Sequence, residues 1–403
     1  MLTPEELLFV IDTMQPIIDE LNVFIVRDIV RRATARLERG EGLLLTATDD
    51  WQVRVYQEAG GHFEALQAEI QKFLKLSEAE VLAIFEAAAI QSVEADTAIY
   101  EAAGRQTLTN PMSERMIRVL ADAYQRTNGE IRNFTRTTAE ASQKHFVEQL
   151  DLAHMKVMTG AQSYTAAVKE LVNELSTRQT EVVYPTGHVD TIEAAVLRAV
   201  RTGVAQACGN MSLQQMDDYD WDLIRVSAHL GARYGDGGEN PGNHFWWQGK
   251  LYSKSGKDPR YPPFSTTGYG TGEGLCGWNC RHSFGPGDPD HNPFKDYDAE
   301  DNKTLYDLTQ KQRRREATIR RNKLRLIGLQ EAIDNTENAY QAAELQQEYD
   351  RTALRLQKQN AQYRKFCEDN KLATYNDRLA VAQWSRSRAA KATAAAKRAK
   401  TSQ

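Results

Sequence analysis

No regular helix or long strand can account for residues 231–293. Gly, Pro, Asp and Asn crowd this window and are interleaved with Trp246, Trp247, Tyr252, Tyr269 and Trp278. It also holds Cys276 and Cys280, two of the four cysteines, together with His244 and His282. A segment of this kind has no apolar periodicity to hold it, so tight turns, aromatic packing or a bound ion must fix it. Both flanks have the opposite texture, charged and polar with apolar residues at helical spacing. The chain is therefore expected to be mainly α, with elongated helical N- and C-terminal regions around a small, loop-rich α+β central module. The expected division is 1–180, 181–295 and 296–403.

At 403 residues the chain can form two or three domains and bury a substantial core. Apolar residues make up 41%, slightly below an ordinary globular protein, which favours an elongated, surface-rich molecule. A formal charge of −5 gives no global attraction to nucleic acid, so any such contact has to be local. No apolar run approaches the length of a membrane span, and the opening Met1-Leu2-Thr3-Pro4-Glu5-Glu6 lacks the pattern of a secretory signal. Cys208, Cys276, Cys280 and Cys367 are too few and too scattered for a disulfide framework. A protein made inside a cell and kept reduced, without a membrane partner, is expected.

Thr3 can cap a first helix with Pro4 at its first position, and Leu7, Leu8, Ile11, Met14, Ile17, Ile18, Leu21 and Ile25 continue an apolar stripe. Ser77-Glu78-Ala79-Glu80 has the form of a capping box and predicts a helix start. Asn110-Pro111 predicts a break, and further helices are expected over 113–127, 133–154 and 163–175. From Thr180 the texture changes. Asp190-Thr191-Ile192-Glu193 can cap a helix to Cys208, and 221–229 reads as a short strand. After Pro293 helices return. Leu345, Tyr349, Leu356, Tyr363 and Phe366 occupy seam positions of a weak heptad whose other sites are Thr352 and Gln359, as in a helical hairpin or coiled coil.

Four constellations could carry chemistry. Cys276, Cys280, His282, His244 and His229 could supply tetrahedral ligands to a structural zinc, the only cofactor these residues suggest; equally, they could be buried packers and loop hydrogen-bonders. Thr267–Gly274 alternates glycines that could present amides to phosphate, or simply serve turns, because no dinucleotide-binding or P-loop fingerprint surrounds them. His229, Arg233, His244 and Glu273 could form an acid–base set. Basic residues cluster over Arg313–Arg325 and in a tail without acidic residues carrying Arg386, Arg388, Lys391, Lys397, Arg398 and Lys400. The tail suits phosphate or acidic-protein contact, while the first cluster also reads as a solvated, paired helix face.

The runs Trp247-Gln248-Gly249-Lys250-Leu251-Tyr252-Ser253, Thr266-Thr267-Gly268-Tyr269-Gly270, Gly274-Leu275-Cys276-Gly277-Trp278-Asn279-Cys280-Arg281-His282 and Gln310-Lys311-Gln312-Arg313 resemble the phage minor capsid protein 2 family. That family is distantly similar to Mu-type head morphogenesis proteins. The motif residues are Trp247, Gln248, Gly249, Tyr269, Cys276, Trp278, Cys280, Arg281 and His282, and the stretch from Tyr234 to Asn243 departs from the pattern as an insert. The resemblance implies a structural, non-enzymatic virion protein, made in the bacterial host cytoplasm and placed at the capsid interior or portal vertex. Its implied partners are the portal protein, the major capsid protein and packaged DNA. The rival expectation is a virion-delivered enzyme, a nuclease or an ADP-ribosyltransferase-like effector, using the His- and Arg-rich centre.

Overall fold

The computed structural model describes residues 1–40, 48–106, 112–178 and 181–401. The expected break at Asn110-Pro111 and the change at Thr180 lie outside them. The protein is mainly α, with small antiparallel sheets in an α+β module. Long helices dominate: α1 (Pro4–Phe9), α2 (Met14–Gly40), α3 (Thr48–Ala102), α4 (Glu114–Met158), α5 (Tyr164–Arg178) and α6 (Ile192–Asp218) precede the module. After it come α8 (Ala299–Asp334), α9 (Ala339–Asp369) and α10 (Arg386–Thr401). A two-stranded sheet, β1 (Glu181–Val183) with β2 (Val189–Thr191), leads into α6.

Several helix starts follow from single side chains. Thr3 and Glu6 form a capping box, Thr3 N–H donating to Glu6 Oε2 at 2.6 Å and Glu6 N–H to Thr3 Oγ1 at 3.2 Å. Ser113, Ser163 and Thr191 cap α4, α5 and α6 through hydroxyls that accept backbone N–H bonds at 3.3, 3.2 and 3.1 Å. The capping box at Ser77 does not act: α3 runs through it and Ser77 is buried in mid-helix. A cap is needed only where amides lack an upstream turn, and here the preceding turn already satisfies them. Likewise α4 is continuous where two helices were expected, and the apolar stripe from Leu7 to Ile25 is interrupted by a turn between Phe9 and Met14.

Contacts group the chain into two compact units, residues 1–15, 76–132 and 196–311 in the first and 16–75, 133–195 and 312–403 in the second. The first unit has a cluster of Ala89, Val93, Met116 and Met211 in its core and carries the module. There β3 (Leu223–Val226) is the central strand, flanked by β4 (Leu251–Ser253) and β5 (Phe284–Pro286), both antiparallel to it. Gly209 of α6 sits under this sheet; a Cβ there would come within 2.7 Å of the Phe284 ring, so helix and module can approach only through glycine.

In the second unit α8 and α9 form a hairpin. Leu345, Tyr349, Thr352, Leu356 and Tyr363 all face inward, each apolar side chain contributing about 1.5–3 kcal/mol by burial. The polar seam residue Gln359 accepts a hydrogen bond from Asn322 at 2.7 Å, and Tyr363 donates to Glu316 at 2.9 Å. The basic stretch of α8 is drawn inward too. Arg320 pairs with Asp19 and Glu193, and Arg325 with Glu348 at 3.0 Å. These partners are up to 301 residues away in sequence, which is why a local charge count gives no hint of them.

α10 is no loose tail. Its alanines 392, 395, 396 and 399 are buried, and the helix packs on α9. Arg386, Lys391, Lys397 and Lys400 are exposed, and Arg388 is half-buried. Arg398 makes a two-pronged ion pair with Asp350 at 2.8 and 2.7 Å.

A second buried network ties α2, α3 and α4 together. His62 Nδ1 lies 2.9 Å from Asp28 Oδ2, His62 Nε2 lies 3.2 Å from Ser142 Oγ, and Arg32 Nε donates to Asp28 at 2.8 Å. Burial alone would raise the Asp28 carboxyl, but hydrogen bonds from His62 and Arg32 and the Arg32 charge outweigh it and hold the group at about 2. The order Asp–His–Ser is that of a hydrolase triad. However, all three residues are buried on helices whose amides are already bonded, which leaves no oxyanion donors.

Candidate functional site

The sequence window of residues 231–293 folds around a knot of rings and thiols. Asn243 caps the single-turn helix α7 (His244–Trp247), its Oδ1 accepting from Trp246 N–H at 3.2 Å. That turn puts His244 and Trp247, three residues apart, on one inward face with ring centroids 4.6 Å apart. Trp247 is fully buried, and its Nε1–H donates to the Pro241 carbonyl at 3.0 Å. Its ring meets the His282 ring edge-on at 4.7 Å.

His282 arrives from the other side, on the loop between a 3-10 turn (Phe264–Thr267) and β5. The loop's amides are used internally: Leu275 N–H donates to Thr267 O at 3.1 Å and Trp278 N–H to Gly272 O at 2.7 Å. No phosphate cradle results, because these donors point at the chain's own carbonyls. Gly268 and Gly270 do take left-handed φ values of 66° and 89°. Gly274 serves a different purpose, since a Cβ there would fall 2.3 Å from the Gly268 carbonyl oxygen. Cys276 and Asn279 also adopt left-handed φ, 56° and 57°, at a cost of roughly 1–2 kcal/mol each that the surrounding packing must offset.

α6 holds this loop from below. Gln206 Nε2 donates to Cys276 O and Thr202 Oγ1 to Gly277 O, both at 3.4 Å, and Tyr269 OH donates to Asn210 Oδ1 at 2.7 Å. The Tyr269 ring packs edge-on against Phe284 at 4.9 Å.

Of the five residues read as metal ligands, three converge. His244, Cys280 and His282 are buried, and one ligand atom from each lies within 4.8 Å of the others. Both histidines have Nε2 fixed by an oxygen: His244 by Glu273 O at 2.9 Å and His282 by Gln248 Oε1 at 3.0 Å. Gln248 Oε1 also accepts the backbone N–H of His229 at 3.0 Å, which fixes its amide orientation. His229 stands outside the trio, stacked on His282 at 4.5 Å with Nδ1 against Leu230 O at 3.0 Å. Cys276 is also outside it, its thiol directed at the His282 carbonyl.

Burial, helped by the Arg281 charge at His229 and the Arg233 charge at His244, lowers these imidazoles to about 3 and about 4, so both stay neutral. His282 is pushed well below its ordinary value by burial first and its neighbours second. Burial likewise raises the Cys280 thiol.

The acid–base set proposed for a transferase or nuclease does not assemble as such. Glu273 reaches His244 through its backbone carbonyl while its side chain is exposed, and Arg233 donates to the Trp278 carbonyl at 2.6 Å. Trp278 itself is 59% exposed at the tip of the loop. Arg281 is half-buried between His229 Nδ1 (3.4 Å) and Gly231 O (3.5 Å). Gly249, with φ of 70°, turns the chain from Gln248 into β4.

Two structural features escaped the sequence reading. Arg225 is buried in β3 and donates to the carbonyls of Gly249 at 3.1 Å and Asp288 at 2.9 Å, tying both ends of the module to its central strand. Its charge inside an otherwise apolar strand was the available signal. The Asp28–His62–Ser142 network gave none, because its members are separated by 34 and 80 residues.

A family model described as phage minor capsid protein 2 matches residues 2–368, which includes the whole module and most of the helices but not α10. No curated protein and no solved structure matches the chain.

Proposed function

The chain belongs to the phage minor capsid protein 2 family, and from that premise we propose that it is a low-copy structural part of the virion, seated at the portal vertex and facing the capsid interior. The observation that carries this reading is the match over nearly the whole chain, helices and module together. The protein then works through surfaces rather than bond chemistry. Its ring-and-thiol knot is closed, with His244, Cys280 and His282 each no more than 2% exposed, and so it serves as an anchor for what surrounds it.

Large apolar side chains remain outside that anchor. Trp278 stands out from the loop that precedes β5, and Ile90 and Ile117 are more than half exposed on the helices of the first unit. Tryptophan on a pre-formed loop is the kind of side chain that dominates protein interfaces. We assign these positions to contact with the portal and major capsid proteins. No described helix is long and apolar enough to cross a membrane, and none of these contacts calls for one.

α10 adds a different surface. Its exposed Arg386, Lys391, Lys397 and Lys400 have no acidic neighbour within the helix, and Arg388 is partly accessible. That face suits phosphates of packaged DNA, whereas Arg398 is already engaged by Asp350.

Cross-linking of purified particles followed by mass spectrometry tests both assignments. Links from the Trp278 loop to the portal and from α10 lysines to DNA are expected. Absence of the chain from particles that otherwise assemble and package would end the proposal.

A further inference from the structure

We infer that His244, Cys280 and His282 bind a zinc ion that clamps α7 to the loop preceding β5. The first ground is spacing. Zinc bonded to sulfur and nitrogen at its usual lengths holds tetrahedral ligands about 3.6 Å apart. Cys280 Sγ lies 3.6 Å from His282 Nδ1. The third ligand atom, from His244, is within 4.8 Å of both, so a small closing movement completes the set.

The second ground is how the imidazoles are held. A carbonyl oxygen can only accept, so Nε2 of each histidine carries the proton and donates, to Glu273 O at 2.9 Å and Gln248 Oε1 at 3.0 Å. Each ring is thereby locked in the tautomer whose Nδ1 lone pair is available. Metal-bound histidines almost always show this arrangement, the far N–H donated to a carbonyl or carboxylate that fixes the ring. Here one glutamine does so for His282 while being fixed in turn by the His229 amide. The His282 amide also donates to Cys280 Sγ at 3.3 Å, a bond that favours a thiolate acceptor.

The third ground is the chemistry of the lining. Two imidazoles and a thiol, walled by the Trp247 ring and with no carboxylate among the ligand atoms, select zinc over magnesium or calcium. Cys280 binds as thiolate and releases its proton to solvent. His229 and Cys276 lie outside the group whose ligand atoms converge, which is His244, Cys280 and His282.

The 403-residue chain, purified without chelator, is expected to carry about one zinc per chain by elemental analysis, as a dedicated site requires. Stripped protein titrated with cobalt(II) is expected to develop a thiolate-to-metal charge-transfer band. Cys280→Ser abolishes that band and the bound zinc, whereas Cys276→Ser keeps both. The cobalt spectrum of the unaltered chain decides the matter even if Cys280→Ser fails to fold. Zinc below about a tenth of an ion per chain after reconstitution, with no cobalt band, overturns the site. Loss of metal in Cys276→Ser overturns the ligand set.

Discussion

Trp247→Ala is expected to destabilise the first unit by about 3–5 kcal/mol, the range for removing a fully buried large aromatic. The indole has no exposed surface and touches both His244 and His282, at centroid distances of 4.6 and 4.7 Å. Its truncation leaves a cavity between α7 and the Cys280 loop, and it orphans the Pro241 carbonyl that now accepts from Nε1 at 3.0 Å. Tyr252 OH donates to the Trp247 carbonyl at 2.9 Å, so displacement of the turn also loosens β4. Trp247→Phe keeps much of the packing but not the hydrogen bond, and should lose roughly half as much. Chemical denaturation followed by hydrogen exchange over residues 241–286 checks this. An unchanged midpoint for Trp247→Ala would mean that the ring is not what joins the two halves of the site.

The second large effect belongs to the Asp28 network in the other unit. Asp28→Ala removes the acceptor shared by His62, at 2.9 Å, and Arg32, at 2.8 Å, and leaves buried donors without a partner. Breaking one side of a buried ion pair costs on the order of 3–5 kcal/mol. The same group sets an acid limit. Its carboxyl titrates at about 2 when folded, below the ordinary 3.8, so the folded state favours the ionised form. That stability is fully present above pH 3.8 and is lost as pH falls from there towards 2. The shift corresponds to about 2 kcal/mol. Asp28→Asn should flatten this part of the stability profile relative to the unaltered chain. Parallel profiles for the two proteins would show that the carboxylate is not held by its neighbours.

How far the fold could be read from the sequence depended on the range of the interactions. Caps at Thr3, Ser113, Ser163 and Thr191 are local, and each appears where its side chain predicts. Ser77 carries the same pattern and caps nothing, because an upstream turn had already satisfied its amides. Local pattern cannot report what the preceding residues do. The seam of α9 was legible from Leu345, Tyr349, Leu356 and Tyr363, yet the pairing of Gln359 with Asn322 depends on the partner helix.

The central window announced itself by composition, and Cys280, His282 and His244 do meet. Composition could not tell them from His229 and Cys276, which lie outside the converging group. The orientation of the two rings is set by the side-chain oxygen of Gln248, a motif residue, and by the backbone carbonyl of Glu273, which carries no sequence signature of its own. The mainly α class with a small α+β module, by contrast, was plain from periodicity and from the run of turn residues.

On the proposed function, this chain serves the particle as a folded part and its histidine-rich centre performs no bond chemistry. The most direct test complements a phage lacking the gene with a chain carrying both His229→Gln and Glu273→Gln. These substitutions remove two of the four acid–base candidates, His229 and Glu273, and leave His244, Cys280 and His282 in place. Particle yield and infectivity equal to those of the unaltered chain are predicted. Particles formed in normal number but unable to infect would contradict the account and point to an activity carried out by those two side chains.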